Sequence, residues 1–154
     1  MVFCREAKPF RQIFTFAGME TPKRTLETPE DIRLLVDRFY DKVRQDEFIG
    51  PIFTDVAQVD WSRHLPKMYA FWENLLLGND VYHGHPFRPH LIINQKHTLT
   101  VDHFERWLKL FTQTLEEEFE GPGAENARQR ATQIALVWNT KLEYLNNDAF
   151  MEER

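Results

Sequence analysis

Histidine offers the most chemistry in this sequence. Six are present, and four of them, His83, His85, His90 and His97, crowd between Asn79 and Thr100. A neutral imidazole is the commonest metal ligand among side chains and can move a proton near neutral pH. His83 and His85 are spaced to share a metal, but Asp80 is the one carboxylate nearby, and a polar surface loop is the simpler reading. His97 and His103 flank a helical segment and are expected to be solvated. His64 borders an apolar stripe with Met68, Phe71 and Leu75, where a packed or half-exposed ring is the ordinary outcome. Tyr40 and Trp107 fall on the inner faces of their segments, each with one polar group that needs a partner when buried. Taken singly, none of these residues assigns a function.

Other chemistries lack their residues. There is no Gly-x-Gly-x-x-Gly or Gly-x4-Gly-Lys-Ser/Thr loop to cradle a phosphate, no His-Glu-x-x-His, no Glu-x-x-His pair and no Gly-x-Ser-x-Gly elbow. Cys4 is the only cysteine, which leaves no internal disulfide and no thiolate metal site, and fits a cytoplasmic protein. A formal charge of −5 argues against nucleic acid as a partner. No apolar run approaches the ~18 residues of a membrane span, which argues against a membrane partner. Aromatic residues reach 14%, with 13 Phe and 4 Trp, so the chain has apolar volume to line a pocket as well as fill a core.

The segments that would position these residues are helical. Thr28-Pro29-Glu30-Asp31 opens the first with a cap, a proline and two acids, and Ile32, Leu35, Val36, Phe39, Tyr40 and Val43 give it one apolar face. Gly50-Pro51 interrupts it, so it ends in the mid-forties, with a short turn over 47–54. Asp60 caps a second helix through Trp61, Leu65, Met68, Trp72 and Leu76, bent near Pro66 and ended by Gly78. From 79 to 100 the periodicity fails, and a long irregular stretch is expected, of a kind that is often functional. Thr100 opens a third helix through Phe104, Trp107, Phe111 and Leu115. Gly121-Pro122-Gly123 separates a fourth, with Ala127, Ala131, Ala135, Trp138, Leu142 and Leu145 at helical spacing. No segment alternates as a strand does, so the class is all-α. Residues 1–27 read as a poorly ordered N-terminal extension, 28–147 as the domain and 148–154 as a tail. Met1 to Gly18 lacks the unbroken apolar stretch of a secretory signal, and Met19 is a second candidate start that intact mass would test. With no heptad seam, a monomer is the default.

Read together and in order, the blocks are more specific. Phe39-Tyr40-Asp41-Lys42-Val43-Arg44 with Gly50-Pro51-Ile52-Phe53, Trp61 to Met68, Phe71 to Gly78, Tyr82 to Leu91, and His103 to Phe111 resemble the third group of truncated haemoglobins over about residues 29–146. The resemblance implies a two-over-two helical sandwich enclosing haem b, with His90 as the ligand of its iron. Tyr40, His64 and Trp107 match the polar positions on the opposite, distal face. Phe53, Met68 and Trp72 match its apolar walls, while Lys67 and Tyr82 match partners for the haem propionates. Leu91 to Thr100 is longer than is usual for the group, and its shortest members lack the residues before Glu27.

A proximal imidazole must give its second N–H to an acceptor. No Asp or Glu lies within five residues of His90, so a backbone carbonyl is the expected acceptor, which favours ligand binding over the push that peroxidases need. Tyr40 and Trp107 are donors for a diatomic gas, whether oxygen, nitric oxide or carbon monoxide, and oxygen is expected to leave slowly. Two alternatives stay open. One is a haem enzyme of peroxidase-like or nitric-oxide-dioxygenase type, the latter with a separate reductase. The other is a haem-free helical protein that binds metal through its histidines or binds nothing.

Overall fold

The structure is a computed structural model and describes residues 21–152. The expectations for residues 1–20 and for the last two residues fall outside it. Helix α1, Pro29–Gln45, starts where the sequence dictates. Thr28 has an extended backbone and accepts from the Asp31 N–H, while the Asp31 carboxylate accepts the Thr28 N–H at 2.9 Å, a reciprocal cap. Asp31 also accepts from the Glu27 N–H and pairs with Arg24 at 2.8 Å. Its burial would raise the carboxyl pKa, but the N–H groups of Glu27 and Thr28, the Thr28 hydroxyl and the Arg24 charge together hold it below the ordinary value.

After α1, Asp46 accepts the N–H groups of Phe48 and Ile49 and an Arg106 guanidinium N–H at 3.2 Å, which ties the turn to a later helix. The short turn expected over 47–54 is a single π-helical stretch, Ile52–Val56, displaced slightly along the chain. Gln58 then takes a left-handed φ of 49°, and the chain enters α2, Trp61–Leu77. Asp60 caps α2 and Gly78 ends it at φ 73°, a conformation that costs glycine nothing.

Two expectations need correction, and the all-α class stands with one short strand contact added. The stretch from 79 to 100 is not all irregular, because Arg88–Lys96 forms helix α3. None of its residues is fully buried, so it carries no clean apolar stripe for periodicity to detect. His103 is not solvated: it is half-buried, stacks on Phe48 at 4.7 Å, and accepts the Thr100 N–H at the start of α4, Val101–Glu118. An all-helical chain also carries one strand contact, in which β1, Arg24–Thr25, pairs in parallel with β2, Phe119–Glu120. That pairing seats Leu26 in the core at 3% exposure, so the packed body begins before residue 28. Gly123, in the first turn of α5, lies so close to Leu26 that an added Cβ would stand 2.3 Å from its carbonyl oxygen. Helix α5, Pro122–Glu152, runs on past 147, and Leu145 faces outward on it.

Helix α1 packs on α2 and on α4, and α4 packs on α5, which gives the two-over-two sandwich implied by the resemblance. The core between these layers is aromatic. Trp72 stacks on Phe111 at 4.7 Å, Phe111 on Trp107 at 5.5 Å, and Phe39 meets Trp107 and Phe111 edge-on. Edge-on and offset arrangements suit the ring quadrupoles, and this cluster gives one side of the adjoining cavity rigid walls. Among the described residues, no helix is long and apolar enough to cross a membrane.

Candidate functional site

A cavity of about 920 Å³ opens between α2, α3 and α4, at the upper end of the range for small-molecule and cofactor sites. All nine residues singled out from the sequence line it: Tyr40, Phe53, His64, Lys67, Met68, Trp72, Tyr82, His90 and Trp107. The backbone acceptor expected for His90 is the Pro86 carbonyl, 2.9 Å from Nδ1. A carbonyl oxygen can only accept, so Nδ1 carries the proton and Nε2 is the ring nitrogen left for a metal. Burial lowers the pKa of His90 and the Pro86 hydrogen bond pushes the other way, with burial the larger effect. The ring is therefore held neutral, the form that ligates.

His64 contributes the second nitrogen. Its Nε2 is buried and has no hydrogen-bond partner. Burial, then the charges of Lys67 and His90, depress its pKa to about 4, so it stays neutral at ordinary pH. A buried polar atom without a partner costs free energy of about 1–3 kcal/mol, and in native proteins it calls for an explanation such as a ligand. Tyr40 stands beside it, with ring centroids 5.1 Å apart, in an aromatic nest completed by Phe53 and Trp61. Burial raises the Tyr40 phenol pKa far above its ordinary value, so the hydroxyl remains a donor. Trp107 faces the same space from α4.

The electrostatics of the lining are one-sided. In a chain of net charge −5, no Asp or Glu lines this cavity, whereas Lys67, Lys96 and five histidines do. Tyr82 lies edge-on to Phe71 at 5.4 Å, and burial raises its pKa. His83 and His85 are exposed at the rim, as a polar loop should be, and His83 sits 3.7 Å from Asp80. Among the described residues no group of three His, Cys, Asp or Glu side chains could hold a bare metal ion. Free nitrogens of His90 and His64 in an apolar cavity with a cationic rim instead fit a flat, apolar metal chelate bearing acid groups, and haem answers that description.

Sequence reasoning left several of the lining residues unassigned, among them Lys96, His103 and Trp138. Lys96 went unassigned because the α3 helix was not seen, whereas His103 was expected in solvent at the start of a helix that was itself expected. Trp138 was read as one more residue of the α5 stripe, yet its indole packs on the His90 ring with centroids 4.6 Å apart. Nothing in the sequence distinguishes Trp138 from its neighbours on that stripe.

Comparison with known proteins agrees with this geometry. Residues 26–141 match the family model described as "Bacterial-like globin". A group 3 truncated hemoglobin of Campylobacter jejuni is 36% identical over 116 residues, which cover 73% of this chain and 89% of that protein. The crystal structure of a group III truncated hemoglobin from Campylobacter jejuni superposes with a TM-score of 0.70 at 34% identity, covering 79% of this chain and 95% of that one.

Proposed function

This chain belongs to the bacterial-like globins and, within them, to the group III truncated haemoglobins, and on that premise we propose that it binds haem b through His90 and takes up a diatomic gas, oxygen foremost. Family membership implies globin-type haem binding. The observation that carries the residue assignment is a pair of nitrogens lining one carboxylate-free cavity: His90 Nε2 and the unpartnered His64 Nε2. Haem, when bound, supplies an iron that coordinates a small ligand and shifts electron density onto it. On the distal side Tyr40 O–H and Trp107 N–H would donate to that ligand. His64, neutral at working pH, would add a third polar group. Phe53, Met68 and Trp72 would supply apolar walls for the haem, and Lys67 and Tyr82 would hold its acid side chains.

The proximal acceptor favours binding over peroxide cleavage. A carbonyl holds the imidazole tautomer without the negative charge that would make the ring strongly electron-donating. Nitric-oxide dioxygenation at the same site would depend on reducing equivalents from a separate reductase.

The test is spectroscopic. Haem added to the wild-type protein is expected to give an intense Soret band and an oxygen complex on reduction. His90→Ala should lose most of that band at equal protein concentration, and added imidazole should restore it. An unaltered band in a folded His90→Ala protein, checked by circular dichroism, rules out the assignment.

A further inference from the structure

Helix α3 carries the ligand histidine, yet buries none of its own residues completely. Its position is set from outside: Leu91 and Ile93 pack, partly buried, on the cluster of Ile52, Leu99 and Leu142, and further fixings come from polar and aromatic residues of α5. At the N-terminal end the Trp138 indole packs on the His90 ring at 4.6 Å with the planes inclined by 52°, and on Phe87 at 5.9 Å. Lys141, one turn along α5, places its ammonium 5.0 Å over the outer face of Phe87. At the C-terminal end the Asn94 amide donates to Asn146 at 2.7 Å, while its oxygen accepts the Leu99 N–H at 2.9 Å. Trp138 and Asn146 are eight residues apart on α5, about 12 Å, and His90 and Asn94 are four apart on α3, about 6 Å. The two fixings therefore act at separate points along the short helix and oppose its rotation.

The two restraints on the imidazole are unequal in kind. The Pro86 carbonyl lies four residues before His90 in the same segment, so it travels with the ring and fixes its tautomer. Trp138 belongs to the long helix packed against α4, and among the described residues it is the one aromatic ring in contact with His90. We infer that Trp138 is a positioning residue that fixes the plane of the His90 imidazole relative to the rest of the fold, and through it the strain on the bond to iron. A ring free to turn spreads over several orientations, whereas one held against an indole keeps one.

This inference rests on His90 being the haem ligand, and the experiment separates the two. Ferrous protein loaded with haem is examined by resonance Raman for the iron–imidazole stretching band, and carbon monoxide association is followed by flash photolysis. Trp138→Leu is expected to shift and broaden the band and to change the association rate by about threefold, under 1 kcal/mol of barrier. Trp138→Phe, which keeps a flat but smaller ring, should give an intermediate band. If the leucine variant does not fold, the phenylalanine variant decides alone. In haem-free protein, the ring-current displacement of the His90 ring protons should fall in the same order. A normal wild-type band that ignores both substitutions overturns the positioning role and leaves haem ligation intact. Absence of the band from wild type refutes His90 as ligand, and this inference with it.

Discussion

Tyr40→Phe isolates a single hydrogen-bond donor. The Tyr40 ring is 5% exposed and is held by Phe39, Phe53, Trp61 and His64 at centroid distances of 4.9, 5.9, 5.5 and 5.1 Å. Phenylalanine fills the same nest, so packing survives and only the hydroxyl goes. That hydroxyl cannot ionise at working pH, because burial pushes its pKa far up, and it faces the cavity as a constant donor. Oxygen in a haem site develops negative charge, and a hydrogen bond to a charged acceptor contributes about 1.5–3 kcal/mol. Trp107 and His64 can take over part of the interaction, so about 1–2 kcal/mol is the net loss expected, or roughly 5–30-fold faster release. Carbon monoxide carries less charge and should respond less. The assay is stopped-flow displacement of oxygen by excess carbon monoxide in wild type, Tyr40→Phe, Trp107→Phe and the double variant. Because each donor takes over part of the other's role, the double variant should lose more than the sum of the two single effects. Oxygen release from Tyr40→Phe no faster than from wild type refutes the distal-donor argument.

Two further outcomes follow from the same geometry. In haem-free protein, His64 should titrate near pH 4 by NMR, and removing the nearby positive charge with Lys67→Met should raise that midpoint, while burial keeps it below the ordinary 6.5; a wild-type midpoint at 6.5 contradicts the buried, partnerless ring. Asp31→Ala removes the reciprocal half of the Thr28 capping box and the pair with Arg24, and should cost about 1–2 kcal/mol in chemical denaturation at neutral pH. The Asp31 carboxyl pKa is depressed in the fold, so its contribution is fully present above the unfolded value, near 3.8, and is lost as pH falls through the lower folded value. The two proteins should therefore converge in stability at strongly acid pH, and a constant difference down to that range argues against the ion pair and N–H bonds as its source.

The parts of the fold that were legible in the sequence are those whose signals are local. Thr28, Asp60 and Gly78 mark helix ends because capping and left-handed φ depend on the residue itself. The apolar face of α1 was legible because it packs against protein on one side and faces water on the other. The strand contact of Arg24–Thr25 with Phe119–Glu120 joins residues about a hundred positions apart, and no short-range pattern encodes it. The acceptor for His90 was legible by a different route: the absence of nearby carboxylates left the backbone, and Pro86 sits one helical turn before it.

Helix α3 escaped detection for a reason tied to the site itself. Its residues Pro89, His90, Ile92, Ile93 and Lys96 line a cavity, and its apolar packing, through Leu91 and Ile93 on the cluster of Ile52, Leu99 and Leu142, is only partly buried. A helix that faces a cofactor need not show the apolar stripe of one that faces protein, because part of its inner surface must supply a ligand and charges for acid groups. The same holds across the cavity, where Tyr40, His64 and Trp107 each resemble ordinary core residues until seen together. Periodicity measures burial against the chain, whereas a cofactor site presents surface to something that is not chain. The failure of the helical pattern from 79 to 100 thus marks the place where this fold turns from packing on itself to lining a cavity.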